Sequence, residues 1–175
     1  MNYKMNNNIS EINHEGPARF TTEVRVRWSE CDRQGIVFNG AYLEYLEIAL
    51  SEYFRNLGYS IYALSETGYF DTVVAKAELT FLKPSKVDDT LQLSARISHL
   101  GNTSINFKVT ITRGNNEETI STIDAVYVGY CVKTFEKMSI PEDIRVLVST
   151  YENTGNIISL DQLPNLHGAL LKISN

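Results

Sequence analysis

One stretch, roughly Asn39 to Leu57, restricts this chain more than any other. Tyr42, Tyr45, Leu46, Ala49, Tyr53 and Leu57 recur at helical spacing. Leu43, Ile48, Leu50 and Phe54 widen the stripe until apolar groups surround much of the helix. A surface helix is apolar along one side only, so a helix of this kind is expected to be enclosed. Gly58 follows where a left-handed C-terminal cap is expected. The rest of the chain therefore has to supply a wrapping.

Most of that rest reads as strands. Thr22 to Ser29 alternates, with Val24, Val26 and Trp28 on one side and Glu23, Arg25 and Arg27 on the other. After the helix, Val73 to Leu82 puts Val73, Ala75, Ala77, Leu79 and Phe81 on one face and stops before Pro84. Leu91, Leu93, Ala95 and Ile97 alternate with polar residues, and so do Ile105, Phe107, Val109 and Ile111. Arg113-Gly114-Asn115-Asn116 is a hairpin turn signal, and Thr119 to Val132 is a long strand rich in Val, Ile, Thr and Tyr. Glu142 to Tyr151 has the pattern of a short helix. Strands with short connections around one enclosed helix imply an α+β domain with an antiparallel sheet. The expected organisation is a loosely ordered N-terminal tail over 1–20, one domain over 21–151, and a C-terminal extension over 152–175.

Composition removes several function classes. A net charge of -5 leaves no basic stripe for nucleic acid. The N-terminal residues are Asn-rich and lack the apolar core of a signal peptide, and no stretch is apolar enough to span a membrane, so a cytoplasmic, non-membrane protein is expected. Cys31 and Cys131 fit no zinc or redox spacing and read as reduced thiols. His14, His99 and His167 are far apart, there is no HExxH, and no glycine-rich phosphate loop occurs, so neither a metal nor a redox cofactor is expected. There is no Gly-x-Ser-x-Gly elbow either.

The chemistry that remains open lies between the first strand and the helix, in Asp32-Arg33-Gln34-Gly35-Ile36-Val37-Phe38-Asn39-Gly40-Ala41-Tyr42. The first N–H groups of a helix have no internal partners and carry partial positive charge. A thioester carbonyl placed there would be polarised toward an oxyanion, and a nearby carboxylate could attack it or activate a water. Spacing alone also allows Asp32 to be an ordinary turn or cap residue.

Asp32-x-x-Gly35-Ile36-Val37-Phe38-Asn39-x-x-Tyr42, followed by Leu43, Tyr45 and Glu47, resembles the 4-hydroxybenzoyl-CoA thioesterase family of hotdog proteins, and most closely its branch with a catalytic Asp in the loop before the helix. Phe81-Leu82-Lys83-Pro84 with Asp89, and Ile140-Pro141, extend the resemblance over roughly Thr21 to Glu142. It implies a hotdog fold, an antiparallel sheet of about five strands wrapped around one long helix. It also implies hydrolysis of an acyl-CoA thioester to a free acid and CoA. In that reading Asp32 is nucleophile or general base, and the backbone N–H of Asn39 polarises the carbonyl. Gly35 lets the loop approach the acyl group, while Val37, Phe38 and Tyr42 lie along the substrate. Many relatives carry His or Tyr where this chain has Asn39, which is harmless if only the backbone acts. Glu47 is a helix carboxylate with either a hydrogen-bonding or a catalytic role. The aromatic Tyr59, Tyr62, Tyr69 and Phe70 could shape an acyl pocket or pack the core, and Lys83, Lys86 and Arg96 could meet phosphates or remain solvated. Dimers or tetramers with a shared site are implied as well. Two alternatives stay open: an acyl carrier protein thioesterase, and a hotdog module that binds acyl-CoA without turnover.

Overall fold

The computed structural model describes residues 11–114, 118–131 and 134–172. Residues 1–10 of the expected tail, Asn115 and Asn116 of the expected turn, and Val132 lie outside them. The elements run β1 (Phe20–Arg25), α1 (Ala41–Asn56), α2 (Ile61–Glu66), β2 (Thr72–Phe81), β3 (Thr90–Leu100), β4 (Ser104–Arg113), β5 (Glu118–Cys131), β6 (Glu136–Lys137), α3 (Glu142–Thr154) and α4 (Pro164–Leu171). All pairings are antiparallel, in the order β1-β3-β4-β5-β2, with the two-residue β6 beside β5.

The inward residues of β3 and β4 are those the alternation picked out, whereas Trp28, expected beside Val24 and Val26, lies in a 3-10 turn and is 83% exposed. Leu91, Leu93, Ala95 and Ile97 of β3, Ile105, Phe107, Val109 and Ile111 of β4, and Ile123, Ala125 and Tyr127 of β5 are all buried. α1 lies against β1, β3 and β4 and buries Tyr42, Tyr45, Leu46, Ala49, Leu50, Tyr53 and Phe54. Its enclosure is incomplete: Leu43 is exposed and Glu47 and Ile48 are half-buried. Gly58, at φ 104, ends the helix region in the left-handed conformation expected of it.

Three register shifts depart from simple alternation, one of them between Ile111 and Thr112 where β4 pairs with β5. In β2 the register shifts between Val74 and Lys76, so Val74 stands opposite Tyr127 while Ala77, Leu79 and Phe81 stand opposite Ala125, Ile123 and Ser121. Directly opposed residues share a face, so Val74 lies on the face of Tyr127 and Val73 does not, though both stay exposed at the sheet edge. In β3 the shift falls between Ile97 and His99. Leu100 takes the inner position and His99 faces solvent, although strict alternation puts His99 inward.

α3 closes the end of the barrel that receives the C-terminal half of α1. Ile144, Leu147 and Val148 are fully buried, and the Tyr151 ring meets Tyr53 edge-on at 5.8 Å. The chain beyond α3 packs back onto it. Asp143 accepts the backbone N–H groups of Asn165 and Leu166, both at 2.8 Å, and so caps α4 from another helix. Leu163, Leu166 and Ala169 are buried. Among the described residues no helix is long and apolar enough to cross a membrane.

Glu152 of α3 is fully buried. One of its oxygens accepts both the Tyr53 hydroxyl and the Ile97 N–H at the β3 bulge, each at 2.7 Å. Its other oxygen has no partner among the described residues. Burial, partly offset by these bonds and by Arg96, raises the carboxyl above its ordinary value of 4.5. The folded chain then holds this proton more tightly than the unfolded chain, so stability from this group falls as pH rises from 4.5 through the elevated folded value. Glu152→Gln keeps an acceptor for Tyr53 and Ile97 and removes the titration. Urea unfolding across that pH range should show the wild type losing stability relative to the variant as pH rises. A pH-independent difference between them would refute this account.

Candidate active site

The segment between β1 and α1 is a tight hairpin. Trp28–Glu30 forms a 3-10 turn, after which the Glu30 carbonyl accepts Phe38 N–H at 2.8 Å, Cys31 bridges to Val37, and Asp32 N–H donates to Ile36 O at 2.9 Å. Asp32 therefore heads the reversal. Its carbonyl accepts Gly35 N–H at 2.9 Å, and its Oδ1 accepts Gln34 N–H at 2.7 Å, a local side-chain turn of the kind Asp favours. The rest of its carboxylate is open to solvent. Gly35 sits at φ 76, a conformation that L side chains avoid, which makes it the turn-forming residue here.

Both stems of this hairpin are tied to α1. On the incoming side, buried Glu30 accepts the Tyr45 hydroxyl at 2.7 Å and the Arg27 N–H at 2.8 Å, with the Arg27 guanidinium 3.1 Å from its other oxygen. On the outgoing side, Val37 N–H donates to Ser85 O at 2.9 Å, and the Ser85 hydroxyl is 2.8 Å from the Tyr42 hydroxyl. Ser85 belongs to the 82–89 connection, which crosses beneath the hairpin. Leu82 and Lys83 donate to Ile120 O at its start, and Asp88 and Asp89 exchange backbone bonds with Val26 at its end. Burial raises the Tyr42 phenol above its ordinary value, and burial followed by the Glu30 carboxylate raises Tyr45, so both hydroxyls keep their protons.

α1 then begins without a side-chain cap. Gly40 is the N-cap residue and has no side chain to offer. Ala41, Tyr42 and Leu43 donate to Phe38, Asn39 and Gly40 carbonyls, whereas the amides of Asn39 and Gly40 have no acceptor among the described residues. A depression of about 340 Å³ opens beside them, bordered by Ile36, Val37, Asn39, Tyr42, Phe81 and Leu82. Unpaired helix-terminal donors at the edge of an apolar depression, with a carboxylate on the adjoining hairpin, are the parts that thioester hydrolysis requires.

The expected site residues are thus distributed as follows. Asp32, Gly35, Val37, Phe38 and Asn39 share the hairpin and the helix start, with Phe38 59% exposed. Tyr42 borders the depression, but it is buried and its hydroxyl is engaged by Ser85. Glu47 lies eight residues along α1 from Asn39, about 12 Å at the helical rise. There it accepts the Tyr127 hydroxyl at 2.8 Å, and no bond joins it to the hairpin. Lys83 pairs with Glu118 at 2.7 Å, and Arg96 bonds the carbonyls of His14 and Gly16. Tyr59 and Phe70 are core residues, while Tyr62 is 51% exposed. Glu30 and Ser85 are the site components that the sequence did not announce. An acid three residues after an arginine and a serine after a proline carry no distinctive spacing. Among the described residues no three His, Cys, Asp or Glu side chains gather as metal ligands.

A curled antiparallel sheet around one helix, with an acidic hairpin at the helix start, defines a hotdog-fold hydrolase. The chain belongs to the thioesterase superfamily, whose family model matches residues 34–120. It is 31% identical over 98 residues to the acyl-CoA thioester hydrolase YbgC of Escherichia coli O6:H1, spanning 55% of this chain and 72% of that protein. It is 29% identical over 94 residues to the acyl-CoA thioesterase YbgC of Haemophilus influenzae, spanning 54% of this chain and 69% of that one. In fold it matches the crystal structure of the hypothetical protein TT1821 from Thermus thermophilus, with a TM-score of 0.68 at 22% identity over 74% of this chain and 97% of the other. The chain is accordingly an enzyme that hydrolyses thioesters.

The hairpin geometry makes its own prediction. A Cβ at Gly35 would meet nothing within 4 Å, so the penalty of Gly35→Ala is conformational alone. Enforcing the left-handed region on alanine should destabilise the variant by about 1 kcal/mol, and Gly35→Asn should lose less, since Asn tolerates that region. Denaturant titration of the two variants checks the order.

Proposed function

We propose that the chain hydrolyses an acyl-CoA thioester to a free acid and CoA, in the manner of the catalytic-Asp branch of the 4-hydroxybenzoyl-CoA thioesterases. Asp32 serves as nucleophile or general base, and the start of α1 serves as oxyanion site. The observation that carries this reading is the pair of unengaged amides, Asn39 and Gly40, at the edge of the apolar depression next to the Asp32 hairpin. The thioester carbonyl points at these N–H groups, and negative charge developing on its oxygen meets the positive end of α1. In the nucleophilic route Asp32 attacks the carbonyl carbon, the C–S bond breaks to release CoA thiolate, and water hydrolyses the resulting anhydride. In the base route Asp32 takes a proton from the attacking water. Phe38 and Val37 flank the acyl group. Glu47 keeps a substrate-binding role only if the acyl group extends along α1 toward Tyr127.

The test is turnover of a panel of acyl-CoA thioesters with thiol detection, repeated on Asp32→Asn. The variant should fold normally and lose at least ~10²-fold in kcat, the scale of removing a principal base or nucleophile. Retention of more than about a tenth of wild-type kcat rules out Asp32 on the same scale. Transfer only from acyl carrier protein substrates supports the carrier-protein alternative, and binding without turnover supports the non-catalytic one. Asn39→Ala keeps the amide and should stay active, whereas Asn39→Pro deletes it and should lose about 10²–10³ in kcat, provided that it still unfolds cooperatively.

A homo-oligomer is part of the same proposal. β2 is a ten-residue strand at the edge of the sheet, with Val73, Val74, Phe81 and the following Leu82 each at least 40% exposed. A long apolar edge calls for a covering partner. Light scattering at micromolar concentration should show at least a dimer, and a fully active monomer would contradict the shared site.

A further inference from the structure

We infer that Glu30 and Tyr45 act together as a positioning pair, fixing the Asp32 hairpin against the start of α1. The inference rests on Asp32 being the catalytic carboxylate. Asp32 is exposed, and its own bonds reach only Gln34, Gly35 and Ile36, all inside its turn. Nothing within the turn fixes its place relative to the Asn39 amide. That place is set by the two stems. The outgoing stem is continuous with α1 and is also held through Ser85. The incoming stem is held by Glu30, which acts twice: its carbonyl closes the hairpin by accepting Phe38 N–H, and its carboxylate receives the Tyr45 hydroxyl from α1.

The bond is short and shielded. Glu30 is 8% exposed and Tyr45 1% exposed, and the two are fifteen residues apart in sequence. A charge-assisted hydrogen bond away from water is stronger and more directional than one at the surface. Packing alone would not demand a carboxylate here, since a buried charge is frequently replaceable by an apolar side chain without loss of stability. What the carboxylate adds is a fixed distance between the hairpin and the helix that carries the amides. Acyl transfer is sensitive to that distance, because a misplacement of about 1 Å can cost on the order of 10²-fold in rate.

Tyr45→Phe removes the tether and keeps the ring. Its kcat should fall about tenfold or more while KM stays within about twofold, because the carboxylate is displaced and substrate contacts are kept. Glu30→Gln retains an oxygen for Tyr45 and the Arg27 amide, so it should recover most of the kcat that Glu30→Leu loses. Glu30→Leu combined with Tyr45→Phe should be no slower than the worse single variant, as expected for two ends of one tether. In an Asp32→Asn background Tyr45→Phe should have no further effect on residual kcat. Wild-type kcat in Tyr45→Phe with only a lowered melting temperature overturns the inference and leaves Glu30–Tyr45 as a structural bond. A Glu30→Gln variant as slow as Glu30→Leu, with an altered pH profile, also overturns it, because Glu30 would then act through its charge. Full activity in Asp32→Asn alone brings down the underlying assignment, so the two failures are distinct.

Discussion

The constraint on which the structure around α1 depends is that buried tyrosine hydroxyls need partners, although Tyr59, among the described residues, is buried without one. Enclosing α1 in the curled sheet removes Tyr42, Tyr45 and Tyr53 from water, and Tyr127 faces the same helix from β5. An unpaired buried hydroxyl costs about 1–3 kcal/mol, so each of the four has to find an acceptor or donor where it is buried. They find Ser85, Glu30, Glu152 and, on α1 itself, Glu47. Those partners belong to the 82–89 connection, the Asp32 hairpin and α3. The demand of the core for polar satisfaction thereby ties three segments to α1 or to its tyrosines, including the segment proposed to carry the chemistry.

The same demand explains the departures from regular alternation. The register shift in β3 releases the Ile97 N–H from its ladder, and Glu152 of α3 accepts it together with the Tyr53 hydroxyl. A bulge, a helix and a core tyrosine are joined at one oxygen, which ties α3 to the sheet one residue past the expected end of the main domain at 151. The β2 bulge acts at the opposite edge. It puts Val74 on the face of Tyr127 and Val73 on the other, and both remain exposed at this edge.

How much of this was legible in the sequence follows from which interactions leave a periodic trace. The enclosed helix and the inner rows of β3 and β4 were readable because burial repeats every 3.6 or every two residues. The position of Asp32 before α1 was readable for the same reason, since the helix pattern marks where its free amides begin. A bulge puts one residue out of phase, and nothing in the residue types at Ala75 or Ser98 marks where it falls, so the face of Val73 was not readable from pattern alone. Glu30, Ser85 and Glu152 were equally invisible as partners. Each is an ordinary polar residue whose role depends on a tyrosine 15, 43 or 99 residues away. Ring positions in Tyr42 and Tyr45 mark the core, but only the fold tells what their hydroxyls reach.

The openness of the helix start is itself written into one residue type. Ser, Thr, Asp or Asn at the N-cap would place a side-chain oxygen over the amides of Tyr42 or Leu43, one turn further on. Gly40 stands there instead and can occupy none. Its lack of a Cβ has a second effect, because a Cβ at this position would come within 2.6 Å of the Phe38 ring. Glycine thus lets Phe38 lie across the helix start, next to the apolar depression. The weaker start to α1 that an uncapped terminus implies is offset by Tyr42 and Tyr45, which bind the preceding chain through Ser85 and Glu30. Stability lost at the helix terminus and stability gained from the two phenols are therefore parts of one arrangement.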